Sequence, residues 1–138
     1  MSSTKLAINP PTLAKPIGFA HGWLVTNALT QSKTLYLAGQ CGYDPQGRIT
    51  APGDLVGQLD RALANILEVL QLASMSFQDV VQLNFYVTSR DDYATARSSF
   101  GAIWRRHCDR HYPAMAMLMV GGLLDPQARI EIQGIAAQ

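Results

Sequence analysis

Ile130-Glu131-Ile132 places a carboxylate between two isoleucines, and it is the segment of this chain best suited to chemistry. Neighbours in a strand alternate sides, so burying both isoleucines turns Glu131 to the opposite face, where a carboxylate can act as a base. An exposed strand carboxylate is the plainer reading. Cys41, just beyond Gly39-Gln40, is either a pocket thiol or a buried inert one. His21, between Ala20 and Gly22, is either an acid or base at a subunit boundary or a structural hydrogen-bonding group. His107 and His111 stand four apart with Cys108 between them, a spacing that can bind zinc on one helix face. No further ligand pair is evident nearby, so Arg105, Arg106, Arg110 and the two histidines read more simply as cations complementing a helix C-terminus, and no metal is expected. Arg97 is either a ligand-holding guanidinium or a solvated helix charge.

These groups need elements to hold them. Pro10, Pro11 and Pro16 make residues 1–16 an extended arm in which no stable helix starts. Trp23 to Thr26 and Thr34 to Cys41 are β-branched and aromatic runs joined by a polar Asn27 to Lys33 connection, a hairpin signal. Asp44-Pro45-Gln46-Gly47 is a turn, after which a short strand is expected near Arg48 to Thr50. From Asp54, a plausible N-cap, Leu55, Leu59, Leu63, Ile66, Leu70 and Ala73 recur at helical spacing, with Gln58, Asp60, Arg61, Glu68 and Gln71 outside.

Val80 to Thr88 reads as a strand with Val81, Leu83, Phe85 and Val87 on one face. A second helix, capped by Asp91 or Asp92, turns Tyr93, Ala96, Phe100, Ile103 and Trp104 inward and stops before Pro113. Met115 to Val120 and Arg129 to Ala136 close the order β-β-β-α-β-α-β-β. Two helices cover only one face of such a sheet, yet the Met115 strand is apolar on both sides. A homo-oligomer that buries the second face is expected, with sites in clefts between subunits.

The 138 residues, 48% hydrophobic, suit one core and therefore a single domain over 1–138. A net charge of +1 disfavours nucleic acid as the main partner. No charged-then-apolar leader and no long apolar run are present, and the two cysteines are widely separated, so the expected setting is the cytoplasm, away from membranes.

Six ordered blocks resemble the Rid (reactive intermediate deaminase, or YjgF-like) family: Gly18-Phe-Ala-His-Gly22; Leu35 to Gln40 with the Asp44 to Arg48 turn; Gln58 to Leu67; Asp79 to Val87; Tyr112-Pro-Ala114; and Ile130-Glu-Ile132. The resemblance implies an α+β, chorismate-mutase-like fold with a mixed six-stranded sheet, two helices on one face, and a homotrimer with inter-subunit clefts. It also implies a cofactor-independent reaction in which an arginine clamps the carboxylate of a 2-imino or enamino acid and a glutamate activates water. Glu131 matches that glutamate, whereas Met115 stands in the arginine position and Phe19 in place of a tyrosine.

A thioether cannot pair with a carboxylate, so a larger or less acidic ligand is expected. Arg97 aligns with a family position beside the pocket and could supply a displaced guanidinium. Glu131 is accordingly the expected base, with Phe19, Gly39, Gln40, Arg97, Met115 and Met117 around the ligand. Two classes stay open: an imine or enamine hydrolase, or a related hydration, tautomerisation or cyclisation enzyme; and a non-catalytic ligand-binding or regulatory trimer. Family members have also been described as ribonucleases or translation inhibitors, which the near-neutral charge disfavours here.

Overall fold

A computed structural model describes residues 2–138. Its elements are β1 (Ser3–Ile8), β2 (Gly22–Asn27), β3 (Lys33–Gln40), α1 (Leu55–Leu72), β4 (Val80–Val87), α2 (Arg90–Cys108), β5 (Ala114–Met119) and β6 (Ile130–Ala137), with one 3-10 turn at Phe77–Asp79. The sheet runs β1-β2-β3-β6-β4-β5, antiparallel except for the parallel β4 and β5 pair. Its last strand is thus central. β6 slots between β3 and β4, which α1 joins by a crossover, and α2 makes the crossover between the parallel neighbours β4 and β5.

Six strands are present, but they are not the expected six. The stretch around Arg48 forms only an isolated bridge, Tyr43 to Ile49, because the Asp44 carboxylate accepts from the Gln46 and Arg48 amides and curls the chain into a turn. The missing strand comes from the arm: Ser3–Ile8 adds antiparallel to β2 ahead of the prolines.

Both helices present one apolar stripe to the sheet. Leu59, Leu63, Ile66 and Leu70 of α1 are fully buried against Leu35, Leu83, Ile130 and Ile132. Asp54 caps α1 as expected, accepting from the Gly57 amide. In α2 the cap is Ser89, not Asp91 or Asp92; the two acids lie in the first turn, where they favour the positive end of the helix. Tyr93, Ala96, Phe100, Ile103 and Trp104 pack inward as expected.

Two further expectations fail for local reasons. Val81 is exposed, because a bulge between Val80 and Gln82 shifts the alternation and buries Val80 in its stead. That bulge presses the Gln82 carbonyl against Gly134, where a Cβ would overlap it, so β6 requires glycine there. Gln58, expected outside, is fully buried. Its amide donates to the Ala51 and Gln127 carbonyls and its oxygen accepts from the Arg129 amide, so all three contacts tie loops to α1.

The opposite face of the sheet carries no helix. Trp23, Tyr36 and Ile135 stand in one cross-strand row, and Glu131, Tyr86 and Leu118 in another. Trp23, Tyr36 and Leu118 are each about half exposed, at 47%, 51% and 45%. No helix is long and apolar enough to cross a membrane among the described residues.

Candidate active site

Glu131 lies on this open face, as the burial of Ile130 and Ile132 dictates. Its carboxylate occupies the space above Gly39, where a Cβ would overlap Oε1. Gly39 falls within an irregularity of the β3 to β6 pairing, between Leu37 and Gln40, so a local break in register makes room for the acid. No cation lies within ion-pair distance of Glu131 among the described residues. The carboxylate is therefore free to accept a proton or a hydrogen bond.

Around it is a cavity of about 300 Å³ lined by Phe19, Ala38, Gly39, Cys41, Tyr43, Leu124, Asp125 and Glu131. Burial first, and then the negative charges of Glu131 and Asp125, push the Cys41 thiol up to about 12. Burial likewise leads in raising the Tyr43 phenol to about 12, with Cys41, Asp125 and Glu131 adding to it. At neutral pH both groups keep their protons. Cys41 is thus a weak donor, not a nucleophile. The loop that carries it is held by α1: Asn65 donates to the carbonyls of Cys41 and Tyr43 at 3.1 and 3.0 Å, and Arg61 donates to that of Tyr43 at 3.0 Å.

His21 is structural. Its Nε2 lies 2.8 Å from the Ala14 carbonyl, which can only accept, so Nε2 carries the proton and Nδ1 accepts from the Gln40 amide at 3.0 Å. Gln40 is spent in that bond, buried, and does not line the cavity that Gly39 and Cys41 line. His107 and His111 are likewise committed, to Asp60 Oδ1 at 2.6 Å and to the Val80 carbonyl at 2.7 Å. Cys108 is buried in the core and α2 ends there, so these three residues do not share a helix face for zinc.

The remaining expected residues lie elsewhere. Glu131 is opposite Tyr86, and Tyr86 opposite Leu118; Met115 is three residues from Leu118 and so projects from the other side of the sheet. There, between α2 and β5, a second cavity of about 410 Å³ is lined by Arg97, Met115 and Met117 together with Tyr93, Phe100, Trp104, Arg105 and Tyr112. Phe19, Gly39 and Glu131 therefore form one group, and Arg97, Met115 and Met117 form another. Within one chain they do not meet. Tyr43, Leu124 and Asp125 were not singled out from the sequence; Tyr43 carried a weak signal, two residues beyond Cys41 at the end of a strand, whereas the Leu124-Asp125 loop carried none.

Two helices over one face of a mixed six-stranded sheet, with an acid held on the other face, define an α+β fold that recurs in solved proteins. The E. coli YjgF gene product superposes with a TM-score of 0.78 at 22% identity, covering 96% of this chain and 98% of that one. The family model described as endoribonuclease L-PSP matches residues 20–138. The chain belongs to this family, the YjgF or Rid family. It is 31% identical over 114 residues to a 2-iminobutanoate/2-iminopropanoate deaminase of Mus musculus, covering 82% of this chain and 80% of the relative. The protein of the same name from Capra hircus is 30% identical over 113 residues, covering 82% and 79%.

Proposed function

We propose that this protein is a Rid-type deaminase that hydrolyses an imine or enamine intermediate, with Glu131 as the base that activates water. The observation that carries this reading is the Glu131 carboxylate itself, free of any cation and facing a cavity in which Cys41 and Tyr43 hold their protons and Asp125 is the other carboxylate. Deaminase-named relatives support the reaction class. Glu131 takes a proton from water as its oxygen bonds to the C=N carbon, and the proton passes to nitrogen. The carbinolamine then collapses, breaking the C–N bond to release ammonia and leave a carbonyl. Neither a metal nor an organic cofactor takes part.

The complete site is drawn from two copies of the chain. The uncovered face that carries Trp23, Tyr36, Tyr86, Leu118 and Ile135 favours sheet-against-sheet association, and a homotrimer is the form we propose. In such an assembly we place the Glu131 cavity of one subunit beside the β5 edge of another, the strand that carries Met115. Because Met115 cannot clamp a carboxylate, the protein is not a standard 2-imino acid deaminase; Arg97 supplies the guanidinium in its place. Ribonuclease action is disfavoured, since Arg106, one of three arginines near the end of α2, is bound to Asp60.

The test is ammonia release from imines generated in situ by an amino acid oxidase. Glu131→Gln should lower kcat by ~10²–10⁴-fold, the range for loss of a general base, with the fold intact. Chelators should leave the rate unchanged. A wild-type protein that is thermally stabilised by ligand but releases no ammonia would instead be a binding protein on the same scaffold.

A further inference from the structure

The cavity between α2 and β5 has two properties that water activation does not require. Its walls are aromatic: Tyr93 and Phe100 meet edge to face at 5.1 Å, Phe85 tilts against Trp104 at 6.2 Å, and Trp104 stacks on Tyr112 at 6.3 Å and 17°. Its mouth is cationic. Arg97 and Arg105 both line it, and neither has a carboxylate within ion-pair distance among the described residues, whereas Arg48, Arg106 and Arg129 all do.

The spacing joins these properties. Arg97, Gly101 and Arg105 recur at intervals of four along α2, so they share one helix face, with Gly101 between the two guanidinium-bearing positions. Gly101 lines the cavity, and a Cβ added there would touch nothing within 4 Å. A glycine inside a helix lowers its stability relative to alanine, and here it leaves an open gap flanked by two free cations. Met115 and Met117 form the opposite wall and adapt readily to flat rings.

We propose that this cavity seats the aryl side chain of a carboxylic acid, with the carboxylate held over Gly101 by Arg97 and Arg105. At about 410 Å³ the space lies within the ordinary range for small-molecule sites, ~300–1,000 Å³. The rings take the apolar body while the guanidiniums take the charge, so recognition requires both parts of the ligand. As a statement about substrate this rests on the deaminase reading, and it makes the substrate an imine of an aryl 2-keto acid. As a statement about binding it does not.

The experiment is calorimetric titration of the intact protein with 3-phenylpropionate, propionate and 3-phenylpropanol. The aryl acid should bind at least tenfold more tightly than either partial mimic. The Arg97→Ala, Arg105→Ala double variant should reduce its affinity to that of the neutral alcohol, and Gly101→Leu, which fills the gap in a position with room for a side chain, should reduce it at least tenfold. Equal affinity for propionate and the aryl acid, or no effect of Gly101→Leu in a folded protein, would overturn the assignment. The two readings fail separately. Aryl-acid binding without turnover of any imine leaves the cavity standing and removes the deaminase, whereas turnover of small imines without aryl-acid binding does the reverse.

Discussion

The two cavities lie on opposite sides of one sheet and differ in almost every physical respect. The Glu131 cavity is acidic and holds two groups whose protons are locked on by burial, Cys41 and Tyr43. The α2 to β5 cavity is aromatic, thioether-lined and cationic at its mouth. Proton transfer needs a fixed, unneutralised acid near water, whereas side-chain selection needs an apolar cavity of suitable shape and a charge to orient the ligand. The sheet keeps these requirements apart. An arginine beside Glu131 in the same chain would neutralise its carboxylate, and with Arg97 and Arg105 on the far side of the sheet no such pairing occurs within one chain.

The largest effect expected concerns the thiol in the acidic cavity. With Cys41 and Cys108 both raised to about 12, their thiolate fraction at pH 8 should fall about a thousandfold below that of a free cysteine, whose pKa is about 8.5. Labelling with Ellman's reagent should be correspondingly slow in the folded protein and rapid in urea. Fast labelling of Cys41 alone would reveal a thiolate in the cavity, and the division between an acid–base side and a binding side would need a nucleophile added to it.

Next in size is Gly39→Ala. The new methyl overlaps Glu131 Oε1, and the carboxylate must swing aside while the sheet, already irregular at this point, accommodates the change. Displacement of a catalytic group by about an ångström costs on the order of 10² in rate. A steady-state assay should show kcat reduced by that order with a melting temperature near wild type. A variant as active as wild type would mean that the position of Glu131 above Gly39 is not the working one.

Met115→Arg probes the other cavity. It introduces the arginine that the family resemblance leads one to expect at this position, and one charge-assisted hydrogen bond, about 1.5–3 kcal/mol, corresponds to a gain on the order of tenfold or more in kcat/KM for small 2-imino acids. The same side chain projects into the aromatic cavity, so 3-phenylpropionate should bind more weakly in this variant. Opposite movements would show that Met115 sets the division of labour. No gain would mean that the cavity has diverged beyond this one position.

How much of this was legible beforehand depends on whether a feature is written in periodicity or in register. Both helices, the outward turn of Glu131 and the uncovered apolar face follow from the spacing of Leu59, Leu63, Ile66, Ile130 and Ile132, and these held. The edge strand Ser3–Ile8 is masked in the sequence by the prolines that follow it, and the strand expected after the Asp44 turn is reduced to a single bridge. Val81 and Gln58 show the limit most clearly. One is exposed by a single bulged residue, and the other is buried because loops distant in sequence close over it. The candidate residues were readable one by one from the resemblance, but their division between two faces depends on which residues stand opposite one another across β4, β5 and β6. Pairing across three strands is a tertiary fact that no local pattern encodes.

The smallest effect tests the element that the two regions share. α1 holds the Cys41 to Tyr43 loop through Arg61 and Asn65, and it is joined to α2 by Asp60, which pairs with Arg106 and with His107 at 2.6 Å. Burial works against the Asp60 charge, but hydrogen bonds from His107 and Arg106 and their attraction outweigh it and hold the carboxyl below its usual range. A depressed folded value means stability that is complete above the ordinary carboxylate pKa, about 4, and is lost as pH falls through the folded value. Because the pair is partly exposed, Asp60→Asn should cost only ~0.5–1 kcal/mol at pH 7, and the gap between variant and wild type should close as pH falls through the depressed folded value of Asp60. Thermal melts at fixed protein concentration across that range measure both quantities. If α2 is a separable wall, aryl-acid affinity should fall in this variant while the Glu131-dependent rate constant does not; equal losses in both would show that the two cavities are coupled through α1.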